Sequence, residues 1–160
     1  MGVIEREEKV TLGDVVVQWW ARLDGDRAGR SALRRAATPS EVMLQPIFYD
    51  LLRAAKNSSL VVNPLRLAVV AGVIAHVTSH NDSATLGERC AQVFSDGPAG
   101  ELRFRRILAI STDREELFSA MIRLVRLVKG ELNVSDLAEK LYWWNDRARR
   151  GLGFDFYSNY

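Results

Sequence analysis

Cysteine is almost missing from this 160-residue chain: Cys90 stands alone, so neither an internal disulfide nor a thiolate metal cluster can form. That usage fits a reducing compartment. Histidine is nearly as scarce, with only His76 and His80, and lysine supplies 4 of the 22 basic residues. No apolar run approaches the ~20 residues that a membrane-spanning helix needs. The longest clean one is Leu67–Ala75, and Asn63, Pro64, Arg66 and His76 break its surroundings. The polar, acidic segment Met1–Val10 is not patterned as a secretory signal. There is no GxxxxGK[ST] or GxGxxG loop, which removes nucleotide-dependent chemistry on motif grounds. A net charge of only +2 excludes a uniformly basic coat. These absences together predict a soluble, cytoplasmic protein with no membrane contact and no cofactor.

What is present is a globular composition, 48% hydrophobic and 26% charged, in a length suited to one large domain or two small ones. Helix signals dominate. Thr11 and Asp14 open a run in which Val15, Val16, Trp19, Trp20 and Leu23 recur at helical spacing. A basic helix over Asp26–Ala37 follows, and then Thr38, Pro39 and Glu41 supply a cap, a first-turn proline and a capping-box acid. Pro46 starts Ile47–Ala55, Asn63-Pro64 opens an apolar helix through His80, and Leu86–Ser95 is helical. Asp96-Gly97-Pro98 with Gly100 is the strongest break.

Beyond it the pattern predicts Glu101–Ile110, then Asp113–Lys129 capped by Thr112 and Glu115 and stopped by Gly130. Asn133 and Asp136 cap a last helix, Val134–Arg150, which Gly151 and Gly153 end. No strand alternation is visible. The expectation is an all-α fold of about nine helices in two small bundles, 1–97 and 98–160.

Eighteen of the basic residues are arginine, the side chain that forks onto phosphate and stacks on flat rings. A high-GC coding bias accounts equally well for the total. It does not account for the placement. Arg34, Arg35, Arg103, Arg106, Arg123, Arg126 and Arg147 have no acidic residue three or four positions away, where a helical ion pair forms. By contrast Arg30 has Asp26, Arg53 has Asp50, Arg105 has Glu101 and Arg150 has Asp146. Each like-charge pair, such as Arg103 with Arg106 or Arg123 with Arg126, costs a few tenths of a kcal/mol, which an external polyanion would offset. Leu117, Met121, Leu124 and Val128 form the core stripe of their helix, so Arg123 and Arg126 lie on its outer face. Leu102, Ile107 and Ile110 do the same for Arg103 and Arg106. Lys129 extends the basic set by spacing.

Catalytic cues are poor. His76 and His80, with Asp82 nearby, would bracket a metal from one helix face but fall short of a closed site. Cys90 reads as a buried thiol, and no paired carboxylates stand out. A metal-dependent hydrolase is therefore the weakest reading, and a non-enzyme is expected. The pairs Trp19-Trp20 and Trp143-Trp144 invite base stacking. Adjacent helical residues point about 100° apart, so at most one of each pair fits a core stripe. Core and interface packing is the plainer account. Trp143 is also four residues before Arg147, so a cation–π contact there would account for that arginine without any ligand.

Read in order, the motifs resemble a known family. Trp20-x-x-Leu23, Leu33-Arg34-Arg35-Ala36 and Thr38-Pro39-Ser40-Glu41-Val42 are similar to the start of CasB, the small subunit of the type I-E CRISPR Cascade complex. Pro46-x-Phe48-Tyr49, Leu86-Gly87, Arg105-Arg106-Ile107-Leu108, Asp113-Arg114, Arg123-Leu124-Val125 and Leu141-x-Trp143-Trp144-x-x-Arg147 continue the match nearly to the end.

The resemblance implies an all-α protein present as two copies beside the other Cascade subunits. It implies contact with crRNA, target DNA and the displaced single strand, without sequence readout. The family's basic positions match Arg35, Arg106, Arg114, Arg123 and Arg147; Arg34 is the other half of the first pair, and Arg66 lies close to a further one. Arg103, Arg126 and Lys129 join them from spacing alone. Asp146 departs from a position that can be basic in relatives, which weakens that edge of the surface. The rival from another class is a helical protein–protein adaptor whose arginines dock on acidic partner surfaces.

Overall fold

The computed structural model describes residues 9–160; most of the acidic N-terminal segment lies outside that range. The described residues form ten α-helices, a 3-10 turn over Leu23–Gly25 and one two-stranded sheet, joined by loops, so the all-α expectation holds. α1 (Leu12–Arg22) opens at Thr11 and Asp14 as expected, through a capping box in which Thr11 Oγ1 accepts from the Asp14 N–H and the Asp14 carboxylate accepts from the Thr11 N–H. α2 (Arg27–Arg35) is capped by Asp26, and the four-residue α3 (Pro39–Val42) by Thr38. α4 (Pro46–Asn57) and α5 (Pro64–Ile74) both start on proline, whose missing N–H and preset φ suit a first turn.

α5 is the axis of the molecule: all its residues from Leu67 to Ile74 are buried. It ends at Ile74, six residues short of the predicted end at His80. Ser79–His80 instead form a short strand, β1, parallel to β2 (Glu131–Leu132). A two-residue strand has no alternation to read. β1 follows α5, and β2 follows α8 (Arg114–Leu127), so the small sheet ties together the same ends of two packed helices. Close packing sits at Gly72, where a Cβ would lie 2.3 Å from the Phe118 ring. Asp113, not Thr112, caps α8: its carboxylate accepts from the Glu116 N–H at 2.9 Å. Gly130 stops the chain beyond α8 at φ 71°, a value glycine adopts freely.

α6 (Leu86–Val93) and α7 (Pro98–Leu108) flank the expected break, with Gly97 at φ 73°. The predicted last helix is two helices, α9 (Val134–Tyr142) and α10 (Asp146–Tyr157). Asn145 divides them, because its side chain accepts from the Ala148 N–H at 2.9 Å and starts a new helix. Gly151 and Gly153 lie inside α10 rather than ending it, and Phe156 beyond them is buried.

α1 packs on α9, α6 on α10, and α5 on both α8 and α9, so one core cluster joins residues before and after Gly97. Phe104 anchors α7 in that core by stacking on Phe156 at 3.7 Å, whereas Leu102, expected to face inward, is about half exposed. Leu117, Met121, Leu124 and Val128 are buried as their spacing predicts.

Candidate nucleic-acid interface

Of the ten basic residues singled out, only Arg103 forms an ion pair among the described residues. It reaches Asp96, seven positions back across the loop, at 3.7 Å. Both partners are about half exposed, so the pair contributes little and leaves the guanidinium open to an anion. Arg35, Arg66, Arg106, Arg114, Arg123, Arg126, Lys129 and Arg147 are exposed with no carboxylate in reach among the described residues. Arg22, Arg27 and Arg150 are equally exposed and without an ion pair there. Arg22 falls at an unspecified position of the first motif, Arg27 lies outside the motifs, and Arg150 was assigned to Asp146. In the structure Asp146 pairs with Arg149 at 3.4 Å instead. Arg30 likewise meets Asp24 at 3.0 Å, because Asp26 is occupied as the cap of α2. The Arg53–Asp50 and Arg105–Glu101 pairs form as the spacing indicates.

Arg34 is held differently. Its Nε donates to the Ala75 carbonyl at 2.8 Å, while Arg30 Nη2 donates to the Val77 carbonyl at 2.8 Å. The last carbonyls of a helix have no partner within it; Arg34 covers that of Ala75, the C-cap of α5, while Arg30 holds a carbonyl three residues beyond the helix. Burial, and then the neighbouring Arg30 charge, lower the Arg34 pKa from its ordinary value.

The same corner contains His76, whose Nε2 is buried without a hydrogen-bond partner among the described residues. Its pKa is pushed down to about 4, first by burial and then by the charges of Arg126 and Arg34. The histidine is thus neutral at neutral pH, and Arg34 and Arg126 bear on one spot. His80 sits in β1, where its Nδ1 accepts from the Val134 N–H at 3.0 Å. The two histidines therefore do not share a helix face, and the premise of a metal bracket fails. Among the described residues no three His, Cys, Asp or Glu side chains gather as a metal site. Cys90 is buried, and burial raises its thiol to about 12.

A second basic cluster lies at the opposite end of α5. Arg66 and Arg114 line one groove of about 460 Å³ with Thr112, Trp144 and Asn145. The adjoining groove, about 470 Å³, is lined by Trp143, Asn145 and Arg147 among others. Arg66, not Arg147, lies over the Trp143 ring, at 5.7 Å from its centre. That contact crosses from α5 to the end of α9, so no local spacing could announce it. On α8 itself, Arg114 and Arg123 are nine residues apart and half a turn out of phase. Arg123 and Arg126 are one turn apart on the outer face.

The tryptophans divide as the geometry of adjacent residues requires. Trp19 and Trp144 are buried, Trp20 is half-buried and Trp143 is 51% exposed.

A helical body with shallow, arginine-rimmed grooves defines the class: an all-α protein that presents a basic surface rather than a closed pocket. The chain belongs to the family of CRISPR-associated protein Cse2, whose family model matches residues 29–157. This is the family, also known as CasB, that the ordered motifs resemble. A chain of the solved E. coli Cascade complex bound to a PAM-containing dsDNA target with a 32-nt spacer shares the fold. It aligns with TM-score 0.68 and 22% identity over 96% of this chain and 97% of that one. No curated protein matches the sequence. Among the described residues no helix is long and apolar enough to cross a membrane.

Proposed function

We propose that this protein is a non-catalytic, cytoplasmic small subunit of a type I-E CRISPR Cascade complex. Its arginines line the path of the crRNA–target duplex and of the displaced strand, without reading sequence. Beside the other Cascade subunits and a second copy of itself, it stabilises the open R-loop in antiviral defence. Family membership supports the assembly. The observation that carries the binding role is the set of exposed arginines with no carboxylate in reach among the described residues.

Opening a DNA duplex against a guide is nearly balanced in free energy, so modest contacts to the backbone decide whether the loop persists. Backbone contacts of this kind release counterions, with a salt slope of roughly −0.7 per phosphate neutralised on single strands. Arg35, Arg106, Arg114, Arg123 and Arg147 are the principal contacts. Arg34, Arg66, Arg103, Arg126 and Lys129 add to them.

The test is a titration of labelled single-stranded DNA against wild type and an R35A/R106A/R123A variant at several salt concentrations. The variant is expected to bind more weakly, with a salt slope shallower by about 2. Equal affinities and equal slopes refute the role. A helical adaptor is the second reading, favoured by Phe154, which is 72% exposed beside Leu108 and Gly153. It predicts a protein partner that survives nuclease treatment and little affinity for free DNA.

A further inference from the structure

Three of the four tryptophans are committed to the fold through their indole N–H. Trp19 Nε1 donates to the Ile47 carbonyl at 3.2 Å, Trp20 Nε1 to Val77 at 2.9 Å and Trp144 Nε1 to Ile110 at 3.0 Å. Trp143 makes no such bond among the described residues, and half of its surface is open. Core packing therefore does not explain it. Its position is nonetheless well fixed. The backbone N–H of Trp143 donates to the Glu139 carbonyl at 3.1 Å. The ring stands edge-on to Tyr142 at 4.8 Å, and the Tyr142 hydroxyl accepts from the Asn63 N–H at 2.8 Å. The Arg66 guanidinium also lies over it.

The charges around this ring are unequal in availability. Glu139 accepts from the Gly13 N–H at 2.9 Å, and Lys140 is bound to Asp136 at 2.6 Å. Arg147, which lines the groove, and Arg66, which lies over the ring, are exposed and without a carboxylate partner among the described residues. A half-open indole with one guanidinium over its ring and a second in the groove it lines has the parts of a stacking site for single-stranded nucleic acid. Every base has a face that can stack, and the phosphates on either side need positive charge.

We propose that Trp143 is a stacking platform for one unpaired nucleobase, with Arg66 and Arg147 holding the sugar-phosphate that flanks it. The platform rests on the nucleic-acid reading above and assigns to it a base contact that the arginines alone do not provide. It remains indifferent to sequence, because it uses the base face and not its edge.

The full-length protein is titrated by fluorescence anisotropy with a labelled oligothymidylate and with an abasic deoxyribose-phosphate strand of equal length. Wild type, W143A, W143F and the R35A/R106A/R123A variant are compared, each checked by thermal melting. Wild type binds the oligothymidylate more tightly than the abasic strand. W143A weakens only the former, by about 5- to 150-fold, with the salt slope unchanged, and W143F keeps most of the affinity.

Wild-type affinity in W143A overturns the platform, as do equal losses on both strands or equal losses in W143A and W143F. Loss of co-purifying protein subunits from W143A, with oligonucleotide binding intact, assigns the ring to a protein contact and overturns it too. A wild type that binds neither strand removes the nucleic-acid reading itself. Loss of binding in the arginine variant but not in W143A removes the platform alone.

Discussion

Arg34 of α2 donates through Nε to the carbonyl of Ala75 and so closes the C-terminus of α5 from another helix. Its neighbour Arg35 is exposed and without an ion pair among the described residues. Of the two adjacent arginines, only Arg34 also supports the fold. R34A is expected to lose about 1 kcal/mol, lowering the melting temperature by a few degrees. R35A should melt like wild type and bind single-stranded DNA more weakly. Thermal melting and anisotropy on the two variants check both halves.

His76 makes stability depend on pH. Its folded pKa of about 4 lies below the ordinary 6.5, so the unfolded chain takes up a proton that the folded chain refuses. The histidine's contribution is fully present above pH 6.5 and is lost as the pH falls from there toward 4. Urea denaturation from pH 7.5 to 4 on wild type and H76Q should show a smaller decline for the variant across that window. Parallel curves for the two proteins would contradict this assignment.

Asp96 restrains Arg103 through an exposed ion pair. Removing the carboxylate frees the guanidinium and deletes a nearby negative charge. D96N should therefore tighten single-stranded DNA binding by a few fold at low salt, with the gain vanishing as screening increases. Binding isotherms at two ionic strengths settle the sign.

Gly72 lies where α5 meets Phe118 of α8 and Val42 of α3, and an added Cβ would lie 2.3 Å from the nearest Phe118 ring carbon. G72A should destabilise the fold by roughly 1–3 kcal/mol through overpacking. F104A, which removes the stack on Phe156, should cost roughly 3–5 kcal/mol. Neither residue reaches the basic surface, so folded fractions of both variants should keep the wild-type salt slope. Chemical denaturation gives the stabilities, and salt titration gives the slope.

Much of the fold was legible because helix caps are local. Thr11, Thr38 and Asn133 each accept from a backbone N–H three residues on, a relation confined to neighbouring residues. The same kind of signal was present and missed at Asn145, where apolar periodicity continuing from α9 hid a second cap. The buried stripe of α8 was legible for the same local reason. Phe104 was not, since its partner Phe156 is 52 residues away and lies in a segment expected to fall beyond the last helix.

The sequence by itself determined which arginines lack a counter-charge within one helical turn, because that distance is set by the pitch of the helix. Only the tertiary structure decided their employment. It spent Arg34 on a distant carbonyl, tied Arg103 to Asp96 and laid Arg66 over Trp143. Those contacts join segments of the chain that meet only after packing, and no spacing rule relates residues brought together by the path of the backbone.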